Sequence, residues 1–149
     1  MRAVVQRLAS VVQLTRLTGA FAAVANVWFV VVWTRSFAEE SGTAEVNASP
    51  LWLLLGASAL TSLGLFAFGA TLNDVIDAKR DRTLRPDRPL ASERLSIEWA
   101  IGLAVGTLLL AVLGSLALGR PPPVLVVIVA VAITAYHVPW RCLPAVGVR

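Results

Sequence analysis

The sequence predicts an all-α integral membrane protein with four transmembrane helices, and three observations lead there. Of 149 residues, 57% are hydrophobic and 15% charged, with a mean hydropathy of +0.75. Four long runs carry no charged residue: Leu17–Thr34, Val46–Asn73, Trp99–Gly119 and Pro121–Trp140. Each has at least 18 residues, close to the ~20 a helix needs to cross the hydrocarbon core. So small a soluble domain has no core that could bury four such helices. The third observation is charge placement. Eleven of the 13 Lys/Arg fall on one side once the spans are drawn, and only Arg35 and Arg120 on the other, where Glu39, Glu40 and Glu45 accompany the first. This positive-inside asymmetry puts both termini and the central polar segment in the cytoplasm of a multi-pass protein of the cell (inner) membrane. The net charge of +4 is therefore topology and not the footprint of a nucleic-acid partner; the partner is the lipid bilayer.

The elements follow in order. Met1 to Arg16 is short, basic and mildly amphipathic, which suits a segment along the membrane surface. Arg16 stands at the mouth of the first span, about 17–34, either as an anchor or as an anion-binding residue. That span carries one strongly polar side chain, Asn26, which reads as interhelical glue or as a substrate contact. Trp28, Trp33, Trp52, Trp99 and Trp140 lie near span ends, as belt residues do. The external loop contains the formal sequon Asn47-Ala-Ser49, but the adjacent Pro50 and the nearby membrane argue against its use. The second span, about 51–73, runs past Asn73 into the cytoplasmic segment 73–96, projecting a turn or two of helix before Pro86 and Pro89 bar its continuation. The third, about 97–119, holds Gly102-x-x-x-Gly106, which predicts a crowded helix face. Arg120-Pro-Pro-Pro123 is a stiff turn, and the fourth span covers about 122–140. The single cysteine, Cys142, excludes an internal disulfide framework and reads as an inert interfacial thiol; His137 reads as an interfacial hydrogen-bonding group.

The chemistry concentrates in Asn73 to Leu90, N-D-V-I-D-A-K-R-D-R-T-L-R-P-D-R-P-L. Asn73, Asp77 and Asp81 recur every four residues and so share a helix face, with Asp74 aside but within reach of Asp77. Like charges at this spacing repel, so the cluster favours a cation. Hard oxygen ligands without His or thiol suit Mg²⁺, which takes one or two carboxylates and fills its sphere with water and substrate phosphates. Lys79, Arg80, Arg82, Arg85, Arg88 and Arg94 are suitable donors to phosphate oxygens. A diphosphate at a membrane surface is the ligand this composition predicts.

The pattern Asn73, Asp74, Asp77, Asp81 followed by Arg85-Pro86-Asp87-Arg88-Pro89-Leu90-Ala91-Ser92 resembles the first aspartate-rich motif of the UbiA-type intramembrane prenyltransferase superfamily. Asn26, the basic approach to the first span and the Tyr136 to Gly147 stretch are also similar, so the resemblance covers essentially 1–149 as a single partial domain. It implies the N-terminal half of a bundle of about nine helices, with two aspartate motifs holding Mg²⁺ on a polyprenyl diphosphate. Ionisation of the donor gives an allylic cation that an aromatic or other lipophilic acceptor in the membrane attacks, as in quinone or lipid biosynthesis. By motif position Asn73, Asp77 and Asp81 are implied metal ligands, Asp74 a ligand or a partner of the ligands, and Asp77 and Asp81 the catalytic pair. Arg85 and Arg88 are implied diphosphate contacts, with Arg16 and Asn26 as further substrate-binding residues.

One departure accompanies the match. All nine acids lie at or before Glu98, so the family's second aspartate motif is absent from 99–149. The expectation is a truncated or incomplete enzyme that needs a missing C-terminal half and transfers no prenyl group alone. The alternative is a catalytically inactive fragment, a scaffold or a transporter half. Against a transporter, the four uncharged runs hold no Asp, Glu, Lys or Arg. The D-G-x-x-A-R opening of CDP-alcohol phosphotransferases, which also use Asp and Mg²⁺ in membranes, does not occur.

Overall fold

A computed structural model describes residues 17–41, 49–119 and 121–137. Arg16, Asn47, Trp140, Cys142 and the side chain of His137 lie outside the described residues, so the readings above that concern them have no structural counterpart. The described chain forms four helices and no strand: α1 (Leu17–Ser41), α2 (Leu51–Leu84), α3 (Ile97–Leu116) and α4 (Pro121–His137). The architecture is all-α, as the uncharged runs predict, and α1, α2 and α3 each contain a stretch long and apolar enough to cross a membrane.

Local sequence sets the boundaries. Pro50 precedes α2 with φ −63° and its carbonyl accepts from the Leu53 and Leu54 amides at 3.0 and 3.3 Å. At the other end Arg85 leaves the helical region (φ −146°), because Pro86 forbids a helical residue before it. The helix therefore reaches Leu84, and the first twelve residues of the predicted 73–96 segment are helical. Irregular backbone covers only 85–96. Ser96 caps α3, its Oγ accepting from the Trp99 amide at 3.3 Å. Gly119, with φ +109°, turns the chain between α3 and α4, and α4 opens on prolines, which a first helical turn tolerates. At 17 residues, α4 is ~26 Å long, shorter than the ~30 Å core. The fourth span predicted over 122–140 is thus helical to His137, and its last residues lie outside the described part.

α2 is the central element, packing against α1, α3 and α4, most extensively against α3. The α2–α3 pair is antiparallel, since Phe68 packs with Ala104 and Ala78 with Ala100. Its backbones approach closely at two glycines. A Cβ on Gly64 would stand 2.6 Å from the Thr107 carbonyl oxygen and 2.7 Å from the Ala111 nitrogen; one on Gly114 would meet Ala57 O and Thr61 N at 3.0 Å. This corrects the expectation for Gly102-x-x-x-Gly106. Nothing lies within 4 Å of a Cβ built on either residue, so the crowded face of α3 is the Ala104, Ala111 and Gly114 face, and the motif faces away from the described helices.

Large apolar residues on the outer faces, among them Phe21, Ile101, Leu109, Leu113, Val124 and Ile128, are exposed, as side chains that contact lipid must be. Hydroxyls inside the helices bond back to their own backbone, as Thr61 does to Ala57 O at 2.8 Å and Thr134 to Ala130 O at 2.8 Å. Thr71, fully buried, has a hydroxyl without a partner. Two side-chain ties secure the other end of the bundle. The Trp28 indole N–H donates to Leu55 O at 2.9 Å, and Arg35 donates to Ser49 O at 3.0 Å. Trp28 thus makes a defined contact between α1 and α2.

Candidate functional site

The site is built on the last three turns of α2 and on the 85–96 segment folded back over them. This segment is held by apolar residues within a polar stretch. Leu90 and Leu95 are buried, clustering with Ala78 of α2 and Ala100 of α3, while Val75 and Leu103 pack around them. Hydrogen bonds fix the backbone between these two anchors. The Ser92 amide and hydroxyl both donate to Arg88 O at 2.8 Å, and the Leu95 amide donates to Pro89 O at 3.2 Å. Arg94 ties the outside, donating to Asp87 O at 2.9 Å and to Ser92 Oγ at 3.0 Å. Glu93 takes φ +57° and pairs with Arg82 at 3.4 Å on the exposed side.

The consequence of this fold-back is the position of Arg88. Its Nη1 donates to Asp74 Oδ1 at 3.2 Å and to Asp81 Oδ2 at 2.6 Å. The two aspartates are seven residues apart, two helical turns, so one strip of α2 presents both. Both carboxylates are largely buried, with side chains 9% and 11% exposed. A charge so enclosed is costly unless paired, and the guanidinium supplies the pairing. The sequence periodicity emphasises Asn73, Asp77 and Asp81; the structure adds Asp74 to Asp81 through Arg88, a contact between residues 14 apart in sequence.

Asp77 and Asp81 line a polar cleft of about 220 Å³ together with Arg80, Leu84, Arg85 and Arg88. Arg85 contributes an exposed side chain there, while its amide donates to Asp81 O at 2.8 Å. Arg80 belongs to the same wall, and only its place among the interleaved basic residues signals this in the sequence. Leu90, Leu95 and Ser92, which hold Arg88 in place, are structural members of the site that charge and spacing do not single out.

Asn73 and Asp77 also share a strip of α2 with a second, apolar neighbourhood. A step of about 100° per residue puts both within ~20° of Phe66 on the surface of α2. Phe66, with Ser62, Ala23, Val27 and Ile133, lines an apolar cleft of about 360 Å³ between α1, α2 and α4. One strip of α2 thus joins an apolar cleft to the acidic end of the helix. Asn26 is not part of either. Trp28 meets Leu55 and Gly19 lies against Phe66, so Asn26 is level with Ala57, ~25 Å along α2 from Asp74. It is exposed, and it does not serve as packed glue between the described helices.

Among the described residues, no three His, Cys, Asp or Glu side chains converge as a metal cluster. The four-residue set Asn73, Asp74, Asp77 and Asp81 divides instead into an arginine-bridged pair, Asp74 and Asp81, and a pair, Asn73 and Asp77, in line with Phe66 along α2. What the cleft offers is carboxylate oxygen from Asp77 and Asp81 beside three arginines. This donor set fits Mg²⁺ in the mode where one or two carboxylates and substrate phosphates share the ion.

Comparison with known proteins bears on this arrangement. No curated protein and no solved structure matches the chain. The model of the UbiA prenyltransferase family matches residues 27–147, a stretch that contains the whole of α2, the fold-back over its end, α3 and α4. With most of its length matched, the acidic helix end included, the chain belongs to the UbiA prenyltransferase family.

Proposed function

We propose that the chain carries the diphosphate-binding end of a Mg²⁺-dependent prenyltransferase site, which moves an isoprenyl group from a polyprenyl diphosphate to an aromatic or other lipophilic acceptor in the membrane. The observation that carries this reading is the single strip of α2 that bears Asn73 and Asp77 at its polar end and lines an apolar cleft at Ser62 and Phe66. A donor with a charged head and an apolar tail is complementary to such a strip along its length.

Asp77 and Asp81 would hold Mg²⁺, assisted by Asn73 and Asp74. The ion, when bound, neutralises charge that grows on the departing diphosphate. Arg80, Arg85 and Arg88 act on the same charge as donors beside the cleft. Arg85 is exposed and suits first contact with the head group; Arg88, its backbone held by Ser92 and the Leu90 anchor, presents its side chain at the cleft. Burial of Leu90 and Leu95 anchors the segment that carries Arg88. The isoprenoid tail is assigned to the cleft between α1, α2 and α4. Quinone or lipid biosynthesis is the setting for such a transfer. The charge asymmetry supports an inner-membrane orientation with both termini and the aspartate motif in the cytoplasm.

The test is binding of a radiolabelled prenyl diphosphate to the protein in detergent or nanodiscs, titrated with Mg²⁺ or with EDTA. Mg²⁺-dependent binding that falls at least tenfold in Asp77→Ala and Asp81→Ala is the expected result. Equal binding by wild type and both variants refutes the assigned roles.

A further inference from the structure

We propose that Arg88 is the resident counter-ion of the Asp74–Asp81 carboxylate pair, and that a divalent cation gains these carboxylates only by displacing it. The displaced guanidinium then passes to the diphosphate that arrives with the ion. The inference rests on the reading of the helix end as a Mg²⁺–diphosphate site and adds how that site is controlled.

Three features carry it. First, one nitrogen, Arg88 Nη1, serves both carboxylates, at 3.2 and 2.6 Å. The guanidinium thus sits between Asp74 and Asp81, where a cation shared by the two would sit, and the two cations repel each other at such range. Second, the carboxylates are largely buried whereas the Arg88 side chain is 25% exposed and lines the polar cleft. Water reaches the carboxylates little, whereas the arginine has the cleft in which to move. Third, the backbone of Arg88 is pinned. Its carbonyl accepts two hydrogen bonds from Ser92, and the adjoining Leu90 is buried in the Ala78–Ala100 cluster. Only the side chain is free to exchange partners, over a distance limited by its own length.

The physical result is a linkage between two ligands. A bare divalent cation must evict a paired guanidinium from a buried site and leave it without an anion, so it binds weakly. When a diphosphate comes with the ion, Arg88 regains an anionic partner and the penalty is removed. Each ligand raises the affinity of the other by the same factor, a reciprocity that any binding equilibrium must obey. Arg88 therefore guards the carboxylates from adventitious cations and makes the head group a condition of metal binding. It holds Asp74 and Asp81 until the cation binds and contacts the diphosphate once displaced.

The experiment measures Mn²⁺, in place of Mg²⁺, by the electron paramagnetic resonance signal of the free aqua ion. It uses the full chain in nanodiscs, with and without an unreactive prenyl thiodiphosphate, corrected for the Mn²⁺ this analogue binds in solution. Wild type is expected to bind Mn²⁺ alone weakly and to gain about tenfold or more in affinity when the analogue is present. Arg88→Gln is expected to bind Mn²⁺ alone about tenfold more tightly than wild type, with most of the gain from the analogue lost. Arg88→Lys, which keeps a cation near the pair and so guards against a folding defect, is expected to fall between the two. An Arg88→Gln or Arg88→Lys protein that binds Mn²⁺ alone no more tightly than wild type overturns the exchange. So does a wild type whose Mn²⁺ affinity is indifferent to the analogue. Absence of any Mn²⁺–analogue binding to wild type overturns the underlying site assignment, an outcome distinct from either.

Discussion

Gly64→Ala is the sharpest test of how the scaffold holds the site. The new Cβ would stand 2.6 Å from Thr107 O, 2.7 Å from Ala111 N and 2.8 Å from Ala111 Cβ. Two of these three atoms are helical backbone and cannot rotate away. Restoring ordinary contact of 3.4 Å or more requires α2 and α3 to part by about 1 Å, which forfeits a quarter to a half of the attraction at each neighbouring contact. Between membrane helices that attraction is the main force of association. Overpacking a fitted interface costs about 1–3 kcal/mol, and a clash against backbone belongs at the upper end, about 2–3 kcal/mol. The folded-to-unfolded ratio should drop ~30- to 150-fold. Equilibrium unfolding in mixed micelles with rising SDS fraction, followed by far-ultraviolet circular dichroism, reads the change. Gly102→Ala and Gly106→Ala are the controls. With nothing within 4 Å of either Cβ, both should be neutral or stabilising by up to about 1 kcal/mol, as expected for replacing a helical glycine. A Gly64→Ala protein as stable as wild type, or a Gly102→Ala protein equally damaged, refutes the packing argument.

Further substitutions probe the fold-back and the core. Leu90→Ala removes a buried anchor and should cost about 2–5 kcal/mol locally, seen as lost hydrogen-exchange protection at the Leu95 amide while amides near Ala104 keep theirs. Thr71→Val replaces a buried hydroxyl that has no partner with an apolar isostere, so stability in the same SDS titration should hold or rise by up to about 1 kcal/mol. Arg82→Gln breaks an exposed ion pair with Glu93 and should shift stability by less than about 1 kcal/mol, an effect that 0.5 M salt removes.

Charge-free run length exposes the helices directly, because a membrane span must satisfy its backbone internally and present apolar side chains all round. The four-residue rhythm of Asn73, Asp77 and Asp81 likewise places the acids on one helix. What periodicity cannot convey is the partner. Asp74 and Asp81 meet Arg88 only because Leu90 and Leu95 insert beneath Arg88 and Ser92 closes the turn. That arrangement follows from tertiary burial, to which a local pattern is blind. The same limit explains the glycines. Gly102-x-x-x-Gly106 has the spacing of a packing motif, yet Gly64 and Gly114, with no such spacing between them, lie at the contact. Small residues permit close approach, but the rotation of each helix about its axis decides which of them is used.

The length of α2 makes the bilayer a working part of this protein. Its 34 residues measure ~51 Å against a core of ~30 Å, and no joint separates the lipid-embedded turns from those that carry Asp74, Asp77 and Asp81. A thicker membrane must straighten the helix or draw it inward, and a thinner one must tilt it. Whatever part of the adjustment the helix takes up, as opposed to the lipid, is carried to the carboxylates and alters their depth relative to the head groups. Acyl-chain length thereby becomes a control on the height of the site, exerted without any ligand binding to it.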